Sequence, residues 1–253
     1  MATALTRKIS PKLSECELTH LDRKSINISK TEEQHHQYEN ALKKMGYSIH
    51  RLPETPKLPD GVFVEDSAVV FDELAIITRP GAESRRPETN SMADILKEYR
   101  ELHFIKSPGT LDGSDVLVLG KNVYIGISKR TNRQAIQQFD QILKPYGYIV
   151  SGIEVTDCLH LKTALTQLEN DLLLINPDWV DGDIFEGYHT VSIHSDEPYG
   201  ANVMRRDNWA LCPEAFPRTA ELLQERGYDV ITIDQSEMAK AEAGLTCCSV
   251  IVE

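Results

Sequence analysis

Apolar residues along this chain alternate between a helical and a strand-like spacing, and the alternation recurs. Across residues 31–45 the apolar positions Tyr38, Leu42 and Met45 share one helical face, and Thr31 with Gln34 three residues on reads as a capping box. Residues 132–144 behave alike, with Ile136, Phe139 and Leu143. Such runs end in a Gly-Tyr pair followed by a short strand-like segment: Gly46-Tyr47, Gly147-Tyr148, Gly187-Tyr188 and Gly227-Tyr228. Glycine takes the left-handed conformation that ends a helix, so the cadence predicts helix, turn, strand. The run before Gly187 predicts a shorter helix that contains Trp179.

Paired apolar runs come before these helices. Residues 62–70 and 74–78 flank Asp72-Glu73, and 116–119 and 123–127 flank Gly120-Lys121-Asn122. Residues 161–165 and 172–175 flank Glu169-Asn170, and 203–205 and 209–211 flank Asp207-Asn208. Each pair predicts a hairpin, which makes the repeating unit ββαβ. Asp66, Asp112, His160, Asn202 and Cys247 mark the starts of successive first strands, at separations of 46, 48, 42 and 45 residues. A period of that size indicates an array or propeller. The last unit runs out after one strand, and the beginning of the chain offers what it lacks: a strand near 6–9, the helix from 31 and a strand at 47–52. The expected fold is therefore a closed, pseudo-symmetric α/β propeller of five ββαβ units, in a single domain over residues 1–253. Residues 15–29 fit no unit and read either as a lid or as a surface loop.

Charge and composition exclude some partners. A formal net charge of −12 repels phosphate backbones, so nucleic acid is not an expected partner. The run Leu172-Leu173-Leu174-Ile175 is far shorter than the roughly 20 apolar residues a membrane helix takes. No basic start followed by an apolar stretch marks a secretory leader. Five cysteines, an odd number without a CxxC pair, argue against a disulfide framework or a structural zinc site. A reducing, cytoplasmic setting is expected.

In a propeller the innermost strands begin near the axis, so the even spacing gathers Glu65, Asp66, Asp112, His160, Asn202 and Cys247 around one pocket. Taken singly, each has an ordinary explanation. A strand cysteine is usually a small buried hydrophobe, and Asp112-Gly113 suits a simple turn. Together they form a thiol, an imidazole and carboxylates, the set that activates a thiol nucleophile. Zinc uses the same residue types, but the spacing lacks a short ligand pair, and neither metal nor cofactor is expected. Strand alternation would let only one of Cys247 and Cys248 face the axis. Ser84-Arg85-Arg86 and Ser128-Lys129-Arg130 occupy equivalent places in two units, and the arginine fork suits a carboxylate.

Several longer motifs stand in order: Leu58-Pro59-Asp60, Phe63-Val64-Glu65-Asp66, Ile77-Thr78-Arg79-Pro80-Gly81-Ala82, Thr110-Leu111-Asp112-Gly113, Ser128-Lys129-Arg130-Thr131-Asn132, Leu159-His160-Leu161-Lys162 and Leu245-Thr246-Cys247-Cys248-Ser249. From about residue 7 to the end the chain resembles the dimethylarginine dimethylaminohydrolases of the guanidine-modifying superfamily. The resemblance implies hydrolysis of methylated arginines to citrulline, with a small molecule as the partner and a monomer or homodimer as the working form. It implies Cys247 as nucleophile, His160 as acid and base, and Asp112 and Asp66, with the neighbouring Glu65, around the guanidinium. It implies Arg85 and Arg130 on the substrate's α-carboxylate, Asp60 and the Leu18 backbone oxygen on its α-amino group, and the Ala241 backbone beside the guanidinium. One departure stands out: the family often has Gly-Gly-Asp where this chain has Gly113-Ser114-Asp115. An arginine deiminase-like hydrolase, an amidinotransferase and a non-catalytic guanidine-binding homologue are the competing readings.

Overall fold

The computed structural model describes residues 2–253. The chain opens with β1 (Thr3–Thr6), α1 (Ile28–Lys44) and β2 (Ser48–Arg51). Unit one follows as β3 (Ala68–Val70), β4 (Leu74–Ile77), α2 (Glu88–Leu96) and β5 (Glu101–Phe104). Unit two is β6 (Val116–Leu119), β7 (Asn122–Ile127), α3 (Arg133–Leu143) and β8 (Ile149–Glu154). Unit three begins with a single turn, α4 (Leu161–Ala164), and continues as β9 (Leu165–Glu169), β10 (Leu172–Ile175) and β11 (His189–Ser192). Unit four is β12 (Met204–Arg206), β13 (Trp209–Pro213), α5 (Pro217–Glu225) and β14 (Asp229–Ile233). After the short α6 (Ser236–Ala239), β15 (Val250–Val252) pairs antiparallel with β1, while β1 pairs parallel with β2. Unit five is thus closed by the two ends of the chain.

All five sheets have three strands and the same order: an inner strand antiparallel to the middle one, and the middle one parallel to the outer. A parallel neighbour needs a long crossover, and in four units a helix supplies it. Unit three differs from expectation here. Its crossover holds a single 3₁₀ turn at Gly182–Ile184, and Trp179 lies in a turn instead of a helix. The Asp181 side chain caps only that one turn by accepting the Asp183 N–H, and Val180 and Phe185 are buried without a helix between the strands.

The core is divided into five apolar clusters, one at each junction between neighbouring units. Phe71, Leu74 and Ile76 of unit one meet Val123, Ile125, Phe139 and Leu143 of unit two. Leu5, Val250 and Val252 of unit five meet Ala75, Ile77 and Met92 of unit one. Equivalent clusters join two to three, three to four and four to five. Five junctions for five units close the ring, and burying each such side chain contributes roughly 1.5–3 kcal/mol. In α3 the buried Ala135, Phe139 and Leu143 recur at the helical spacing, and the Asn132 side chain accepts the Ala135 N–H as the N-cap. α1 begins three residues before its expected start, because Asn27 and not Thr31 caps it. The Thr31 hydroxyl instead donates back to the Asn27 carbonyl. The four Gly-Tyr glycines carry φ of 89°, 77°, 83° and 90°, as the turn requires.

Candidate active site

The evenly spaced polar residues do not begin strands, as periodicity suggested. Asp66 and Cys247 lie in the one-turn segments Val64–Ser67 before β3 and Thr246–Cys248 before β15, Asp112 and His160 are the N-caps of Gly113–Asp115 before β6 and of α4 before β9, and Asn202 lies just ahead of β12. A turn presents polar side chains to the axis while its strand stays apolar, which strand alternation cannot do twice in a row. The turns pack tightly. A Cβ on Gly113 would lie 2.0 Å from the Glu65 carbonyl oxygen, so only glycine admits that contact. Strand alternation also fails as the reason for separating the two cysteines, since both lie in one 3₁₀ turn. Cys247 Sγ receives the Gly244 N–H at 3.4 Å, whereas Cys248 packs with His35, Tyr38, Met238 and Leu245.

His160 and Asp112 form the first half of the site. His160 Nε2 donates to Asp112 Oδ2 at 3.1 Å, both groups are buried, and Asp112 Oδ1 accepts the Gly81 N–H at 2.9 Å. Burial works against a charged imidazole. The charges of Asp66 and Asp115, with the hydrogen bond and charge of Asp112, outweigh it and push the His160 pKa up to about 9. Asp115 lies behind this pair. Its oxygens accept the Ser128 and Thr131 hydroxyls at 2.8 and 2.6 Å and the Leu161 N–H at 3.0 Å, which fixes the turn that carries His160. Burial pushes Asp115 up to about 6, against the opposing pull of His160 and the two hydroxyls.

The second half is Cys247 with Glu65 and Asp66. Burial, then the charges of Glu65 and Asp66, push the Cys247 thiol up to about 12. Burial would also raise Asp66, but Arg85 and His160, with hydrogen bonds from Ser114 and Arg85, hold its carboxyl well below the usual range. Glu65 pairs with Lys162 at 2.5 Å and accepts the Thr246 hydroxyl at 2.8 Å. Asn202 bridges the Lys162 carbonyl at 2.7 Å and the Thr246 hydroxyl at 3.1 Å. A carboxylate oxygen of Asp66, one of Asp112 and a ring nitrogen of His160 lie within 4.8 Å of one another, and cationic side chains already crowd them: Arg85 at 2.6 Å from Asp66 and Arg130 at 3.8 Å from Asp112.

A third group surrounds the outer end. Arg85 is spent on Asp66, on Glu88 at 3.0 Å and on the Phe63 carbonyl at 3.1 Å. Arg130 has lighter duties, donating to the Thr19 hydroxyl at 3.0 Å. Asp60 is buried, and both its oxygens accept the Glu17 N–H at 3.2 Å; burial raises its pKa against the pull of Arg85. Leu18 lies half-buried between these partners, and Ala241 is buried just after α6. The leftover segment closes over this end: Thr19, His20 and Leu21 donate their backbone N–H groups to the Glu242 carboxylate, 223 to 221 residues away in sequence. A cavity of about 280 Å³ opens alongside, among Leu21, Tyr199, Phe216, Glu242 and Gly244; Cys247, His160 and Asp66 do not line it.

A family model described as N,N dimethylarginine dimethylhydrolase, eukaryotic, matches residues 17–244. The chain belongs to the dimethylarginine dimethylaminohydrolase family. A dimethylarginine dimethylaminohydrolase of Pseudomonas aeruginosa is 37% identical over 225 residues, 88% of this chain and 89% of that relative. A solved Pseudomonas aeruginosa structure, a cysteine-to-serine variant complexed with citrulline, superimposes with a TM-score of 0.94 at 34% identity, covering 99% of this chain and 98% of the other. A second solved member, a histidine-to-glycine variant as an adduct with S-methyl-L-thiocitrulline, matches over 100% of both chains, with a TM-score of 0.93 and 34% identity. Among the described residues no helix is long and apolar enough to cross a membrane.

In this family member the sequence reading missed Ser114, Asp115, Lys162, Thr246 and Glu242. Asp115 follows Asp112 by three residues, a spacing that could have flagged a second carboxylate on the same turn. Glu242 had no such signal, because its partners lie at the far end of the chain.

Proposed function

We propose that this chain hydrolyses asymmetric dimethylarginine and monomethylarginine to citrulline and dimethylamine or methylamine, through a Cys247-thiouronium intermediate. The observation that carries the reading is one buried cluster in which the thiol of Cys247, the charged imidazole of His160 and the carboxylates of Glu65, Asp66 and Asp112 converge. Relatives whose solved forms hold citrulline and an S-methyl-L-thiocitrulline adduct support it.

The chemistry follows from the charges. A guanidinium carbon is a poor electrophile because its charge is delocalised, and carboxylates at fixed positions hold its plane for attack. Cys247 gives up its thiol proton to solvent, and the thiolate sulfur adds to that carbon. His160 gives its proton to the substituted nitrogen as the C–N bond breaks, and the neutral amine leaves. Water then attacks the thiouronium carbon while neutral His160 takes its proton, and the C–S bond breaks to release citrulline and the thiol. Such acid–base help is typically worth roughly 10²–10⁴-fold.

Arg130 takes the α-carboxylate in exchange for the Thr19 hydroxyl, with Arg85 lending charge while it holds Asp66. Asp60 and the Leu18 backbone oxygen take the α-amino group, and the Ala241 backbone borders the guanidinium. The five units act as one catalytic domain, as a monomer or homodimer, and five free, buried thiols suit a cytoplasmic setting. The test is to incubate the purified chain with arginine, monomethylarginine and asymmetric dimethylarginine and assay citrulline. Release from the methylated substrates is expected, and its absence overturns the reading. Arg130→Ala should raise KM for the amino acid, by about ten- to a hundredfold for one lost charge-assisted contact, while sparing a simple alkylguanidine.

A further inference from the structure

Ser114 is buried at a point from which one hydroxyl reaches two carboxylates. Its Oγ lies 2.8 Å from Glu65 Oε2 and 2.6 Å from Asp66 Oδ1, and its backbone N–H donates to the same Asp66 oxygen at 3.2 Å. The same Glu65 oxygen accepts the Thr246 hydroxyl at 2.8 Å, which sets Ser114 beside the turn that carries Cys247, and the Ser114 side chain acts to lower the thiol pKa against burial. A serine hydroxyl has one proton to give, so it cannot serve two carboxylates and a sulfur together. What else serves each acceptor decides the choice. Asp66 already has Arg85, and Glu65 already has Lys162 and the Thr246 hydroxyl. Cys247 has only the long contact from the Gly244 N–H.

Resting on the hydrolase reading above, we propose that Ser114 is a positioning residue whose hydroxyl turns from the carboxylate pair to the Cys247 sulfur when a guanidinium enters. The guanidinium N–H groups satisfy the Glu65 and Asp66 oxygens and so free the Ser114 proton. Ser114 keeps that proton throughout; the thiol loses its own to solvent, and the hydroxyl stabilises the charge left on sulfur. The groups that face this thiol are Glu65 and Asp66 from the turn before β3, Tyr38 from α1 and Cys248 beside it. Lys162 and Arg85 act on it through their carboxylates.

The test titrates the ultraviolet absorbance of the thiolate against pH, with and without methylguanidine, in the native chain and in Ser114→Ala, Ser114→Gly and Ser114→Thr, with Cys247→Ser as baseline. Turnover of asymmetric dimethylarginine is measured in parallel. Ser114→Gly adds no atom to the packed turn and guards against a failure to fold. In the native chain methylguanidine should lower the apparent thiol pKa. In Ser114→Ala and Ser114→Gly that drop should shrink and kcat should fall by about ten- to a hundredfold, the worth of a hydrogen bond to a charged group, at nearly unchanged KM. Ser114→Thr should restore both. An undiminished drop in the Ala and Gly variants, or a loss confined to KM, overturns the positioning role. A native chain that forms no citrulline yet shows the Ser114-dependent shift overturns the hydrolase reading and leaves the positioning role standing.

Discussion

His160 and Cys247 lie in one carboxylate field, and the field prepares the first while it restrains the second. Burial opposes charge on both groups. For the imidazole the carboxylates overcome burial and push the pKa up to about 9, so the imidazole is charged at neutral pH. For the thiol the charges of Glu65 and Asp66 add to burial and push it up to about 12, so the thiol is neutral. Asp66 contributes to both shifts. The difference teaches that one carboxylate field can leave two buried groups in opposite charge states; on the function proposed above, a guanidinium would neutralise the field that keeps the thiol protonated.

The sharpest way to break the comparison is to remove one thiol at a time. Cys247→Ser should abolish turnover, by at least about 10⁴-fold as for other lost nucleophiles, with the fold intact by circular dichroism. Cys248→Ser should keep substantial activity, since Cys248 belongs to the apolar cluster with Tyr38, Met238 and Leu245 and only Cys247 receives the Gly244 N–H. An active Cys247 variant beside a dead Cys248 variant would reverse the assignment.

A smaller effect should come from uncoupling the imidazole. Asp112→Asn removes a charge and the carboxylate acceptor at 3.1 Å, so the His160 pKa should fall. The alkaline limb of the kcat profile should then move to lower pH, with activity at neutral pH down about 10²-fold or more. Nuclear magnetic resonance titration of the imidazole measures the pKa directly, and an unmoved value would show that Asp66 and Asp115 dominate the field.

The smallest effect concerns stability. A folded-state His160 pKa raised to about 9 contributes stability that is fully present below the ordinary histidine value and is lost as pH rises through about 9. Cys247, raised to about 12, acts in the same direction at higher pH. Unfolding free energy should therefore decline on the alkaline side by on the order of 1–3 kcal/mol from His160. Denaturant unfolding at stepped pH should show a flatter alkaline decline in His160→Asn. An equal decline in both chains would place the linkage elsewhere.

Much of the architecture was legible before any coordinate. The Gly-Tyr pairs, the hairpins and the period near 45 residues announced five ββαβ units closed by the chain ends, because backbone turns and burial patterns are written locally. The same period brought Asp66, Asp112, His160 and Cys247 to one axis, a thiol and an imidazole among carboxylates. Local reading failed where a partner lies in another unit. That Asn27 caps α1 in place of Thr31 was a near miss within one segment, but the missing helix of unit three required knowing that its crossover packs without one.

What the amino-acid sequence by itself determined is thus the ring and its chemical inventory. Only the tertiary structure decided how the inventory is wired. It committed Arg85 to Asp66 and Glu88 while leaving Arg130 lightly held, tied residues 19–21 to Glu242, and set Ser114 between two carboxylates and a thiol. It also decided the charge states, since a pKa depends on burial and on distances between groups from different units. Those distances are fixed by the packing of five turns about an axis, and neighbours along the chain do not encode them.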